Sequence, residues 1–251
     1  MSNTIDSAFK RIDTTYRSQG SPLTAPPTMV GRTFKASRVY DKVIGLTIVA
    51  LIAAVAGWLV IPVGVAWACI FVAFGIVLLS WFRMQWARVL APAYAVTEGV
   101  ALGAISSAYA SFAHGVVPVA IVFTGAVFVA CMFLYRTGLV RVTPRMVSMA
   151  IMGAMGIMAV AVLSLILGVF GIGGLGSAFG PWGVIIGAIC LVVAVLNLFT
   201  DFGYADRSEQ MGVPAEAEWA AAFAILTALV LVYLSILRIL AAFMGGGGRR
   251  R

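Results

Sequence analysis

The strongest constraint on this chain is a succession of apolar runs, each about the length of a membrane span. They lie at roughly 42–61, 63–82, 90–112, 116–135, 146–169, 181–205 and 217–243. A helix needs about 20 such residues to cross a hydrocarbon core about 30 Å thick. Inside lipid a spanning segment must satisfy its own backbone donors and acceptors, and runs of this length do so as helices. Composition agrees: the chain is 62% hydrophobic and only 10% charged, where soluble domains carry about 25% charged residues. The sequence therefore predicts an all-α polytopic membrane protein. Seven transmembrane helices occupy 42–244, after a polar tail over 1–41 and before a Gly/Arg tail over 245–251. The short turns leave no room for a second soluble domain.

Basic residues set the expected orientation. The tail carries Lys10, Arg11, Arg17, Arg32, Lys35, Arg38 and, at its boundary, Lys42. The second and fourth turns hold Arg83, Arg88, Arg136, Arg141 and Arg145, while the first, third and fifth hold no Lys or Arg. By the positive-inside rule the N-terminus is cytoplasmic. The tail lacks the hydrophobic core of a signal peptide. Ile5, Phe9, Ile12 and Tyr16 recur at helical spacing, so the tail is either a short surface helix or unstructured. The formal charge of +8 sits at the ends of apolar runs. Anionic lipid is the expected partner, and nucleic acid is not. Seven crossings place Arg249–Arg251 outside, against the rule, and are preferred over a re-entrant last run.

The chemistry concentrates in Asn197–Trp219, an acidic stretch between two apolar runs. Asp201 is drawn back into the sixth run. Continuation of that helix to about Gln210, with Gly212-Val213-Pro214 as the stop, puts Asp201 about 9–14 Å deep. Glu98 lies about 12 Å into the third run at 1.5 Å per residue, with Gly99 and Gly103 allowing close approach of another helix. A carboxylate at such depth costs roughly 2.5–3.5 kcal/mol or more and is by default a functional candidate. Two neighbouring carboxylates in one leaflet would titrate as a unit. That arrangement makes a proton-sensitive gate or a cation site; the bland alternative is two separate acids holding helices in register.

The other polar residues are accessory. Glu218 beside Trp219 is expected to cap the last helix. Asp206, Glu209 and Glu216 read as a solvated turn, or as cation collectors at a pore mouth. Arg238 either snorkels outward or pairs inside. His114, the sole histidine, falls in an outer turn as an interfacial polar residue. It has only Ser106, Ser107 and Ser111 nearby in sequence and no third group, so a hydrolase is not expected. Cys69, Cys131 and Cys190 lie in apolar runs as small buried hydrophobes. No Cys/His spacing suggests a metal centre, and Gly171–Gly176 follows no strand and is no phosphate loop. The chain is expected not to be an enzyme and to use no cofactor.

The strings YAVTEGVALGAIS at 94–106, then LNLFTDF, GVPAEAEW and VYLSILRIL between 196 and 240, resemble the Bax inhibitor/YccA family, most nearly its bacterial YccA-type branch. The resemblance covers residues 42–243. It implies seven helices, with the last one central between two three-helix layers, in a bacterial inner membrane. It also implies a pH-sensitive calcium leak latched by paired aspartates on the sixth and seventh helices, or an association with a membrane-bound AAA protease. The first aspartate corresponds to Asp201. The second falls at Ala228 or Ser235, neither of which titrates, so Glu98 is the candidate for the missing carboxylate.

The function expected is a pH-gated cation (calcium) leak in which Asp201 and Glu98 form a weak, transient calcium site. A membrane regulator acting through residues 1–41 is the alternative. A proton-coupled small-solute transporter is the weaker third.

Overall fold

In this computed structural model the apolar runs fold into seven helices: α1 (Ala36–Val60), α2 (Val63–Phe82), α3 (Ala87–Phe112), α4 (Val116–Arg136), α5 (Pro144–Val169), α6 (Pro181–Gln210) and α7 (Ala217–Gly245). The structure describes residues 33–60, 63–82, 86–113, 115–169 and 181–245. The proposed surface helix in the tail, His114, Gly171–Gly176 and Arg249–Arg251 lie outside them. Among the described residues, all the helices except α2 hold an apolar window long enough to span a membrane, and α2 contributes the described apolar stretch Ala68–Ser80.

The last helix is the axis of the bundle. It packs against α1, α3, α4 and α6, and 61% of its most apolar window is buried, against 6% for α5. On one side α3 carries α1 and α2; on the other α6 carries α4 and α5. This is the expected arrangement of two three-helix layers around α7. Apolarity is no guide to burial here, because lipid accepts apolar side chains as readily as the interior does. The small residues at the start of α7, including Ala220, Ala221, Ala222, Ala224 and Ala228, allow neighbours to approach it closely.

Glycines set the tightest seam, between α1 and α3. A Cβ added at Gly99 would overlap the carbonyl oxygen of Ala50, and one at Gly103 that of Ala54. The backbones meet there because nothing stands between them, as the Gly99–Gly103 spacing suggested.

One end of the bundle is strongly polar. Phe34 N–H donates to Val213 O at 2.9 Å, so the chain entering α1 lies along the α6–α7 turn. Tyr135 near the end of α4 donates to Asp206 on α6 at 2.7 Å. The Arg136 guanidinium stands 5.6 Å from the centre of the Tyr40 ring on α1. Every described Lys and Arg except Arg238 lies at this basic end. The alternation read from the sequence is thus a shared face in three dimensions.

Two boundaries differ from the apolar pattern. The first helix begins at Ala36, not near residue 42. Its opening turns are amphipathic, with Val39 and Val43 buried and Arg38 facing the Glu218 carboxylate. The last helix continues without interruption to Gly245, so it crosses the bundle fully and does not re-enter.

Candidate functional site

Glu98 occupies the fourth turn of α3, on a stripe that runs along α7. One turn before it, the buried Tyr94 ring meets Phe223 edge-on at 5.0 Å. Two turns after it, Ser106 Oγ and the Tyr233 hydroxyl are 2.7 Å apart. The two helices run parallel, so these contacts bracket Glu98 at about the level of Thr227. The side chain is half-buried, with Tyr94 as a charge neighbour.

Asp201 comes from the other layer, about one to two turns nearer the start of α7. Leu198, Phe202 and Ala205 are fully buried on the inner face of α6, and Asp201 lies at the edge of that face, half-buried. Its level on α7 follows from register. A Cβ at Gly187 would lie 3.3 Å from the Ser235 carbonyl oxygen and closer still to the Ile239 side chain. Counting along the antiparallel pair from there brings Asp201 level with Ala221–Ile225.

This register decides between the two candidate positions for a second family carboxylate. Ser235 stands opposite Gly187, about 21 Å along α6 from Asp201 at 1.5 Å per residue. Its hydroxyl donates to Leu231 O at 2.6 Å, within its own helix. Ser235 therefore cannot face Asp201. Ala228 lies about one turn from the level of Asp201 and is buried, but has nothing to titrate.

The two carboxylates do not form the adjoining pair expected from the sequence. Their helices, α3 and α6, make no packing contact, and α7 runs between them. Neither group has the other among its charge neighbours. Sequence depth placed both toward the cytoplasmic ends of their helices; it carried no information about which helix separates them. Among the described residues neither carboxylate has a salt bridge or hydrogen bond. No cluster of three His, Cys, Asp or Glu side chains that could hold a metal occurs there either.

Glu218 has a different role from the one expected. It is 2% exposed and accepts from Lys35 N–H at 3.1 Å, while Arg38 Nη1 stands 3.3 Å from Oε1 and Lys42 Nζ 2.5 Å from Oε2. Glu209 accepts from Ala36 N–H at 3.0 Å. Carboxylates from α6 and α7 thus cap α1, whose first N–H groups have no partners of their own. Lys42 also stacks 4.9 Å above the Trp219 ring. Glu218 is a tie between helices and does not cap its own. The signal that could have found it is Arg38 and Lys42, spaced four apart for one face of a helix.

The remaining candidates divide. Asp206 lies in α6 itself, not in the turn, and holds the Tyr135 hydroxyl. Arg238 points inward: its Nε is buried with no hydrogen-bond partner, and Cys190 on α6 is its charge neighbour. Cys69, Cys131 and Cys190 are free thiols.

The family model described as Bax inhibitor 1 like matches residues 6–245. No curated protein matches the chain.

Proposed function

The chain belongs to the Bax inhibitor 1-like family, and from that premise we propose that it is a pH-sensitive cation leak channel, with calcium as a permeant ion. The observation that carries this reading is the placement of Glu98 and Asp201. They lie within about one to two helical turns of each other along the central helix, on either side of it, with no basic partner among the described residues. A carboxylate at membrane depth is stabilised by a proton or by a cation. Protons and cations therefore compete for the same oxygens, and flux falls as pH drops from 8 to 6. Calcium prefers six to eight oxygen ligands, so isolated carboxylates bind it only in passing. That suits a leak better than storage or pumping.

Calcium flux from liposomes carrying the purified protein, measured from pH 6 to 8, tests the proposal. Asp201→Asn and Glu98→Gln should each flatten the pH dependence. Flux absent at every pH, or unchanged in both variants, would sink it.

A second reading has its own support. Glu218 and Glu209 fasten the start of α1 to the α6–α7 turn, which fixes where the preceding segment leaves the bundle. A tail anchored in this way suits a regulator of a membrane-bound AAA protease, as in the YccA-type branch, with the N-terminus cytoplasmic in a bacterial inner membrane. If deleting residues 1–32 abolishes the cellular phenotype while Asp201→Asn is silent, this reading replaces the channel.

A further inference from the structure

A lateral groove opens between α1 and α4, two helices that do not pack against each other. Its volume is about 680 Å³, within the roughly 300–1,000 Å³ of small-molecule sites. Thr47, Leu51 and Trp58 line one wall and Thr124, Gly125 and Phe128 the other; Leu229 and Tyr233 of α7 form the floor. The hydroxyls there are already engaged: Thr47 donates to Val43 O, Thr124 to Ala120 O, and Tyr233 is paired with Ser106. The groove thus offers a polar solute apolar surface and no free hydroxyl, with the Trp58 indole N–H as its one side-chain donor without a partner among the described residues.

The position of the groove identifies its occupant. Its α1 wall runs from Val43 to Leu59, about 24 Å at 1.5 Å per residue. That exceeds the half-thickness of a hydrocarbon core about 30 Å across. Its outer lips, including Ile48, Leu51, Val55 and Ile121, are exposed apolar side chains that face the bilayer in a spanning bundle. At the basic end Tyr40, Tyr135 and Phe128 close around Phe202, with centroids 6.1, 5.7 and 5.9 Å from it. Arg136 stands over Tyr40 there, exposed and in no salt bridge among the described residues. An apolar slot that opens to the bilayer, with a cation about 12 Å along α4 beyond its last α4 lining residue, Phe128, matches one molecule in its surroundings.

We propose that this groove is a phospholipid site, holding an acyl chain between α1 and α4 and an anionic headgroup at Arg136. Anionic headgroups concentrate at basic juxtamembrane residues, and the chain covers apolar wall that neighbouring helices leave open. The site does not depend on conduction, and it places a lipid directly on the face of α7 that carries Leu229 and Tyr233.

Gly125 is the position to substitute, because a Cβ added there meets nothing within 4 Å. Gly156 on α5 is equally open and lies outside the groove. Native mass spectrometry of the detergent-purified chain, titrated with phosphatidylglycerol or phosphatidylcholine, should show one retained phospholipid, with phosphatidylglycerol preferred. Gly125→Trp should lower occupancy at least five-fold and Gly156→Trp should not. Thr47→Phe, from the opposite wall, should repeat the loss if Gly125→Trp proves unstable. Arg136→Gln should abolish the headgroup preference while a lipid is still retained. No retained lipid in the wild type, or equal occupancy in the Gly125→Trp and Gly156→Trp proteins, would overturn the proposal. Unchanged preference in Arg136→Gln would overturn the headgroup assignment.

Discussion

Glu218 shows how much one residue can fix in a bundle of this kind. It is buried, yet it serves a backbone N–H, an arginine and a lysine from a helix far away in sequence. Removing one partner of a fully buried pair costs about 3–5 kcal/mol. Lys42 keeps 20% of its side-chain surface exposed, so Glu218→Ala should cost less, about 2 kcal/mol. Glu218→Gln retains an acceptor for Lys35 N–H and should lose less again. Thermal unfolding in detergent, followed by tryptophan fluorescence, should rank wild type above Gln above Ala. Equal melting of all three would remove Glu218 from its role as the tie. The sequence exposed the type of this residue and its place beside Trp219 but not its partners, because a carboxylate at a helix start is ordinarily read as serving that helix.

The seams between elements obey a simpler rule. Where a glycine faces backbone, as Gly99 and Gly103 do, a larger residue forces α1 from α3. Where it faces open space, as Gly156 does, only helix propensity acts. Gly99→Val should therefore lower the yield of folded protein sharply, while Gly156→Ala should be neutral or stabilising by up to about 1 kcal/mol. Size-exclusion profiles and melting temperatures of the two variants check this, and comparable losses in both would contradict it. The element scale was also the most legible from sequence. Apolar length, the Pro and Gly breaks and the basic turns marked nearly every helix. The start of α1 at Ala36 escaped because its first turns carry Arg38 and Lys42, which read as tail until the facing carboxylates are known.

At the scale of the whole molecule, α7 divides the bundle, and this is what the sequence revealed least. A helix that is apolar all round gives no periodic signal of which neighbour it faces. The resemblance supplied the central position of α7, while residue depth alone supplied the level of Glu98 and Asp201. Only the packing shows that α7 stands between them. An uninterrupted α7 also places Met244 at the end of the bundle opposite Glu216, both exposed. In a background with Cys69, Cys131 and Cys190 replaced, Glu216→Cys and Met244→Cys should be labelled by an impermeant maleimide from opposite sides of sealed vesicles. Labelling from the same side would mean that α7 turns back within the membrane.

The separation of the two carboxylates gives the account its sharpest consequence. Groups that share a proton behave as a unit and their substitutions do not add, whereas distant, independent sites add within about 0.3–0.5 kcal/mol. The deciding measurement is the pH profile of calcium flux from liposomes containing Asp201→Asn, Glu98→Gln and the double variant. Two independent carboxylates flanking α7 predict that each single change removes part of the pH dependence and that the double change removes the sum. A double variant no different from either single one, or flux indifferent to both residues, would contradict it.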